Sequence, residues 1–261
     1  MSDRSLRQRP PGAKCGRPAT GLTALVLAFA LFDLAGAAPV PAADPGLAPA
    51  IARIVAESNA FRLAQGRAPT RPVAALEVAA REFAQFMARN DLYGHSADGR
   101  EPAERAAAQG YALCALSENI AFQFDSRGFG AEDLARRFVQ GWIDSPGHRR
   151  NLLAPEVSET GVAVARSART GRYYAVQMFG QPAAARWRFE IDNRSQRAVE
   201  YRIGEKSFAL PPRSSQTHEQ CAAVSLRIVL PGQAQPLTLQ PAKGTRYRVE
   251  AVAEGLRVSS D

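Results

Sequence analysis

The hydrophobic patterning of this chain shifts near residue 183, and that shift limits what each part can fold into. Residues 48–182 are rich in alanine and in apolar side chains at three- and four-residue spacing, the signature of amphipathic helices, and end in two strands. From 186 to 261 apolar side chains alternate with polar ones, as in half-buried strands. A segment patterned for one period cannot bury a continuous face in the other, because side chains repeat every 3.6 residues in a helix and every two in a strand. The chain therefore reads as an α/β domain over 48–182 followed by a small β-sandwich over 186–261. The joint falls in Gln181-Pro182-Ala183-Ala184-Ala185.

In the first part a helix is expected over 48–65, with Ile51, Ile54, Val55, Ser58, Phe61 and Arg62 on one side and Gly66 closing it. Asn59 and Arg62, three apart, share a face. A second helix is expected over 73–90, its stripe of Leu76, Ala79, Ala80, Phe83, Phe86 and Met87 serving core packing. A short helix over 101–109 carries Pro102 in its first turn, where the missing N–H does no harm. Another runs from Ala131 to about Trp142 and halts at Ser145-Pro146-Gly147, so His148 follows a rigid turn. Strands over 160–165 and 173–180, joined by a hairpin at 168–172, point to a layered α/β arrangement rather than a bundle. Beyond 186, six or seven short strands fit a sandwich, and His218, beside Glu219, reads as solvent-exposed in a polar loop.

The amino terminus has a basic head (Arg4, Arg7, Arg9, Lys14, Arg17), an apolar run over 21–32 and small residues at Ala35-Gly36-Ala37-Ala38. That is the plan of a secretory signal peptide over 1–37, with a linker over 38–47; an uncleaved anchor is the competing reading. Cleavage after Ala37 removes five positive and two negative side chains and lowers the formal charge from +8 to +5. No basic block with interleaved aromatics is present, so the charge serves solubility rather than nucleic-acid binding. A secreted or periplasmic location is expected. Cys15 leaves with the leader, and the remaining Cys114 and Cys221 are either a disulfide or two separate buried thiols.

Candidate chemistry gathers in three places. Tyr93-Gly94-His95-Ser96 lies in a loop broken by two glycines, Ser117-Glu118-Asn119 places a carboxylate and an amide against an apolar run, and Ser145-Pro146-Gly147-His148 delivers an imidazole. Ser96, Ser117 and Ser145 are the serines near histidines, but no nucleophile-elbow motif surrounds any of them.

Taken together, Asn59 and Arg62, His95-Ser96 with Glu104-Arg105, Ser117-Glu118-Asn119-Ile120-Ala121, Trp142 with Ser145-Pro146-Gly147-His148 and Asn151-Leu152-Leu153, Gly161-Val162-Ala163 and Tyr174 through Gly180 resemble the CAP superfamily in order and spacing over about residues 50–181. That group contains the cysteine-rich secretory, antigen 5 and pathogenesis-related 1 proteins, here in the bacterial secreted branch. The resemblance implies an α-β-α sandwich with a central cleft lined by His95, Glu118, Asn119, Ser145 and His148. It implies His95, His148 and Glu118 as ligands for Zn²⁺ or another divalent cation. The family's second glutamate position is Ser145 here, with Asp144 adjacent, so its tetrad becomes a triad. A secreted monomeric binding module is expected, taking a small or lipid-like ligand or an envelope component, with peripheral membrane contact. Metal-assisted hydrolysis and a structural envelope role are the alternatives.

Overall fold

The computed structural model describes residues 44–230 and 235–261, so the leader and most of the linker expected from the sequence lie outside the described residues. A 3-10 turn at Pro45–Leu47 enters α1 (Ala48–Ala64), and α2 (Ala74–Asn90), α3 (Pro102–Ala108), α4 (Ala131–Asp144) and α5 (Pro146–Leu153) follow. Between them run β1 (Arg71–Pro72), β2 (Leu113–Gln123), β3 (Glu159–Arg166) and β4 (Tyr173–Pro182), in the sheet order β1-β3-β4-β2. The pairs β3–β4 and β4–β2 are antiparallel, and β1 adds a short parallel contact to β3.

Both faces of this sheet are covered, which is why β3 and β4 are apolar nearly throughout rather than alternating with polar residues. The pleat divides them between two cores. Val162, Val164, Ala175 and Phe179 face α1, α4 and α5; Ala163, Ala165, Val176 and Met178 face α2 and α3. The result is an α-β-α sandwich. Helix α2 lies so close to β3 that a Cβ on Gly161 would overlap the backbone of Leu76 and Glu77, so only glycine fits there.

Arg62 acts as a clamp on the α1 side. Fully buried, its guanidinium donates to the carbonyls of Ala68 (2.8 Å), Leu152 (2.6 Å), Ala154 (3.1 Å) and Val157 (3.2 Å). Asn59 on the same face exchanges hydrogen bonds with the backbone of Thr70 at 2.8 and 2.9 Å. Together they fix the chain after α1 and after α5, neither of which has strand partners for those carbonyls.

One local expectation needs correction. The chain does not turn after α4 and then deliver His148 from a loop. Ser145 is a single extended residue (φ −88°, ψ 118°) between two helices, and Pro146 starts α5 at a position where its fixed φ suits a first turn. His148 therefore rides on a helix.

A 3-10 turn at Ala183–Ala185 leads into β5 (Trp187–Asn193), β6 (Val199–Ile203), β7 (Lys206–Leu210), β8 (Ser214–Gln220), β9 (Leu226–Val229), β10 (Leu237–Leu239), β11 (Arg246–Val252) and β12 (Gly255–Ser260). They form two four-stranded sheets, β10-β9-β6-β7 and β12-β11-β5-β8, around a core that includes Phe189, Ile191, Tyr201, Leu226, Ile228 and Val249. Polarity concealed strand β8. Its outward residues are polar, and only His218 turns inward, so the expectation of an exposed His218 is wrong. Its Nε2 meets the Tyr201 hydroxyl at 2.9 Å, the Phe208 ring lies 4.9 Å away, and burial lowers its pKa. Cys114, at the start of β2, and Cys221, just past β8, form a disulfide with Cα atoms 5.6 Å apart, and Ala183 N–H donates to Ala112 C=O at 2.7 Å beside it.

Arg62→Ala should leave four carbonyls without this donor, two of them on the buried residues Leu152 and Val157, and lower stability by roughly 3 kcal/mol, read as a drop in the urea midpoint.

Candidate functional site

The candidate site is built on β2, the outer strand of the first sheet. One edge of β2 pairs with β4, while the opposite edge has no strand beside it among the described residues. Side chains cover that edge instead. Asn151 of α5 donates to Glu118 C=O (3.1 Å), and Tyr93 (3.1 Å) and Trp142 (3.3 Å) both donate to Ile120 C=O. Helix α5 and the loop after α2 thus meet over β2, and each brings one histidine.

The pleat of β2 sends Glu118 and Asn119 to opposite faces. Glu118 points towards α3, its side chain 1 % exposed. An isolated buried carboxylate is costly, and Arg105 of α3, equally buried, removes most of that cost. Arg105 Nη2 donates to both Glu118 oxygens (3.0 and 3.2 Å) and to His95 C=O (2.8 Å), while Nη1 donates to Asp98 Oδ1 (2.8 Å) and Arg100 C=O (2.6 Å). Its planar face lies 3.5 Å from the Phe83 ring centroid. A capping box places the helix that carries it: Glu104 accepts from Glu101 N–H at 2.7 Å, and Ser96 Oγ donates to Glu101 at 2.6 Å.

His95 Nδ1 lies 2.8 Å from Glu118 Oε1, and the ring is half exposed. With Glu118 ionised, Nδ1 carries the proton and donates, which leaves Nε2 on the exposed side of the ring. The Glu118 hydrogen bond raises the His95 pKa, and burial opposes it in part. His148 moves the other way: burial lowers its pKa first, and the charge of His95 lowers it further. The second effect acts through space and brings the two imidazoles within each other's electrostatic reach.

Of the five cleft residues named from the sequence, His95 and Glu118 are in direct contact, and His148 lies within electrostatic reach of His95. Asn119 is fully buried on the opposite face; it donates to His148 C=O (3.0 Å) and accepts from Asn151 (2.9 Å), so it positions α5. Ser145 is half-buried between α4 and α5, and its side chain caps neither helix. No hydroxyl of Ser96, Ser117 or Ser145 bonds a histidine among the described residues; Ser96 is committed to Glu101. Arg105 and Asn151 are the contributors that the sequence reading placed in motifs without assigning a role. Their only local signal was a basic residue on a short alanine-rich helix and an amide one turn after His148.

The donor set bears on a metal. Both Glu118 oxygens are engaged by Arg105, and among the described residues no three His, Cys, Asp or Glu side chains converge as a metal-binding group. The carboxylate fits the role of fixing His95 better than that of a ligand, and the two imidazoles remain as donors. A groove of about 660 Å³ opens elsewhere, at the β3 edge between α1 and α2, and shares no residue with this cleft; Ile51, Val55, Val162 and Val164 line it with Arg81.

Residues 55–179 match the family model described as CAP, the cysteine-rich secretory protein family. Among solved structures, an outer surface protein from Borrelia burgdorferi is 21 % identical with a TM-score of 0.44, over 51 % of this chain and 92 % of that one. An extracellular protein containing an SCP domain from Bacillus anthracis is 22 % identical with a TM-score of 0.43, over 51 % of this chain and 40 % of its own. A cysteine-rich secretory protein from Staphylococcus aureus is 16 % identical with a TM-score of 0.39, over 51 % of this chain and 38 % of its own. The chain therefore spans well under half the length of the last two. No curated protein matches it.

The opposite shifts of the two histidines give a pH signature. A group whose pKa rises on folding stabilises the fold below its ordinary value and loses that contribution as pH climbs through the raised one. His95 should therefore titrate above about 6.5, and His148 below it, in an NMR titration of the ring protons. Glu118→Gln should bring His95 back down while leaving His148 on the low side.

Proposed function

The chain belongs to the cysteine-rich secretory protein (CAP) family through residues 55–179, and we propose that it works as an extracytoplasmic binding module whose cleft captures a divalent cation or a small polar ligand between His95 and His148. One observation carries this reading: a fully buried Arg105–Glu118 ion pair holds a half-exposed imidazole in one orientation. Burying an ion pair contributes little net stability compared with an apolar core. Its use here is to fix which nitrogen His95 offers to the cleft. Nothing in the packing of His95 itself needs that, since the ring is half outside.

If the ligand is a metal ion, His95 Nε2 and the His148 ring would hold it, with Glu118 as the carboxylate behind the first imidazole. A bound ion would there act as an anchor for an anionic group. The same geometry weighs against hydrolysis, because Arg105 and His95 already engage the Glu118 oxygens and Glu118 does not face an open position where a water could be activated. The disulfide supports the extracytoplasmic part of the reading, since such bonds persist in oxidising compartments. No helix among the described residues is long and apolar enough to cross a membrane.

A lipid-like ligand is the second reading, favoured by the apolar groove at the β3 edge rather than by the cleft. Organic extraction of purified protein would then yield apolar material, and a Val162→Asp variant would yield little; clean extracts from the wild type would sink that reading.

The cation reading is checked by titration calorimetry with Zn²⁺ at neutral pH. The wild type should bind, a His95→Ala/His148→Ala pair should not, and Glu118→Gln should bind about 10–100-fold more weakly. Affinity should fall as the pH is lowered, because the His95 imidazolium must release its Nε2 proton before that nitrogen can ligate, while Nδ1 keeps its own for Glu118. A wild type that takes up no Zn²⁺ at neutral pH overturns it.

A further inference from the structure

Four of the seven large apolar side chains exposed among the described residues, Leu92, Tyr93, Phe122 and Phe124, gather at one end of the first domain. Phe122 and Phe124, 43 % and 58 % exposed, continue the β2 face that carries Glu118 and Ile120. They lack cover because α2 ends at Asn90, so the layer that hides Ile120 stops short of them. The Tyr93 ring packs edge-on against Phe122 at 5.2 Å, and Tyr174 lies 6.0 Å behind it. The rings form a single shelf.

The β3–β4 hairpin threads this shelf with arginines. The Arg172 guanidinium lies 5.3 Å from the Phe122 centroid. Gly171, at the hairpin tip, sits between the Arg166 guanidinium and the Phe124 ring, and a Cβ there would meet both at 3.6 Å. Arg169 pairs with Asp91 at 2.8 Å, and Asp91 also accepts from Thr170 and Tyr174. Asp125 is taken by Arg127 at 3.5 Å. The carboxylates of this end are thus already matched, while Arg166 and Arg172 have no carboxylate within 4.0 Å among the described residues.

We propose that this end of the domain docks on an anionic lipid bilayer. Half-exposed aromatic rings suit the head-group level of a membrane, where one side of the ring is apolar and the other wet. Guanidiniums beside the rings would meet lipid phosphates at the same depth, and the excess positive charge has no internal partner. The inference stands apart from the identity of any ligand in the cleft, since none of its residues is a cleft donor.

Sedimentation of the full chain with vesicles tests it. At about 0.1 M salt the wild type should pellet with vesicles of equal phosphatidylglycerol and phosphatidylcholine and stay in solution with phosphatidylcholine alone. Phe122→Ser/Phe124→Ser and Arg166→Glu/Arg172→Glu should each lower the partition coefficient about tenfold or more. Arg227→Glu/Arg257→Glu, an equal charge reversal in the second domain, should leave it unchanged. All variants keep residues 1–43, so differences between them report on the shelf. Thermal melts check folding; if the aromatic pair fails to fold, the arginine pair, at exposed positions, decides. The proposal is overturned by a wild type that ignores anionic vesicles, by folded shelf variants that partition like wild type, or by an equal loss from the distal pair.

Discussion

A buried guanidinium is the constraint on which the cleft depends. Arg105 joins three pieces of chain that share no regular hydrogen-bond ladder: α3, the loop from His95 to Arg100, and β2. A charge in that position is tolerable only because two carboxylates and two carbonyls surround it and an aromatic face closes one side. The cost of burying it is what makes the arrangement specific, since moving any one partner strands a charge away from water. His95 is oriented by that network, and its proton affinity follows from the same carboxylate.

Arg62 repeats the device on the other face with different partners. It meets only carbonyls, so it acts as a cap for irregular chain rather than as part of an electrostatic site. The two arginines show why burial alone does not mark function. What separates them is a titratable side chain at the cleft surface, present beside Arg105 and absent beside Arg62. The outer edge of β2 follows a related logic: carbonyls that lack a strand partner recruit Tyr93, Trp142 and Asn151, and those side chains draw the two histidine-bearing segments together.

Much of the first domain was legible in the sequence because its elements are long and strongly periodic. The α2 stripe predicted buried Leu76, Ala80, Phe83 and Met87, and all four are fully buried. Errors came where a local signal has two structural outcomes. Pro146 terminates one helix and begins another with equal ease, so His148 was expected in a turn. The string Ser214-Ser215-Gln216-Thr217-His218-Glu219-Gln220 is as polar as a loop, yet pairs as a strand whose one inward residue is the histidine. Glu118 and Asn119, adjacent in the sequence, serve opposite faces because neighbours on a strand alternate.

Sequence by itself determined the long periodic elements, the shift of hydrophobic patterning near residue 183 and the residues able to carry chemistry, because these depend on side-chain identity and spacing within a few residues. Tertiary structure decided how those residues are used. Glu118 reaches His95 across 23 positions and Arg105 across 13, and Asn151 reaches Glu118 across 33. Such pairings are set by which edge of β2 is left open and by how α3 and α5 close over it. No local spacing encodes that, nor that Glu118 would be the carboxylate bonded to His95.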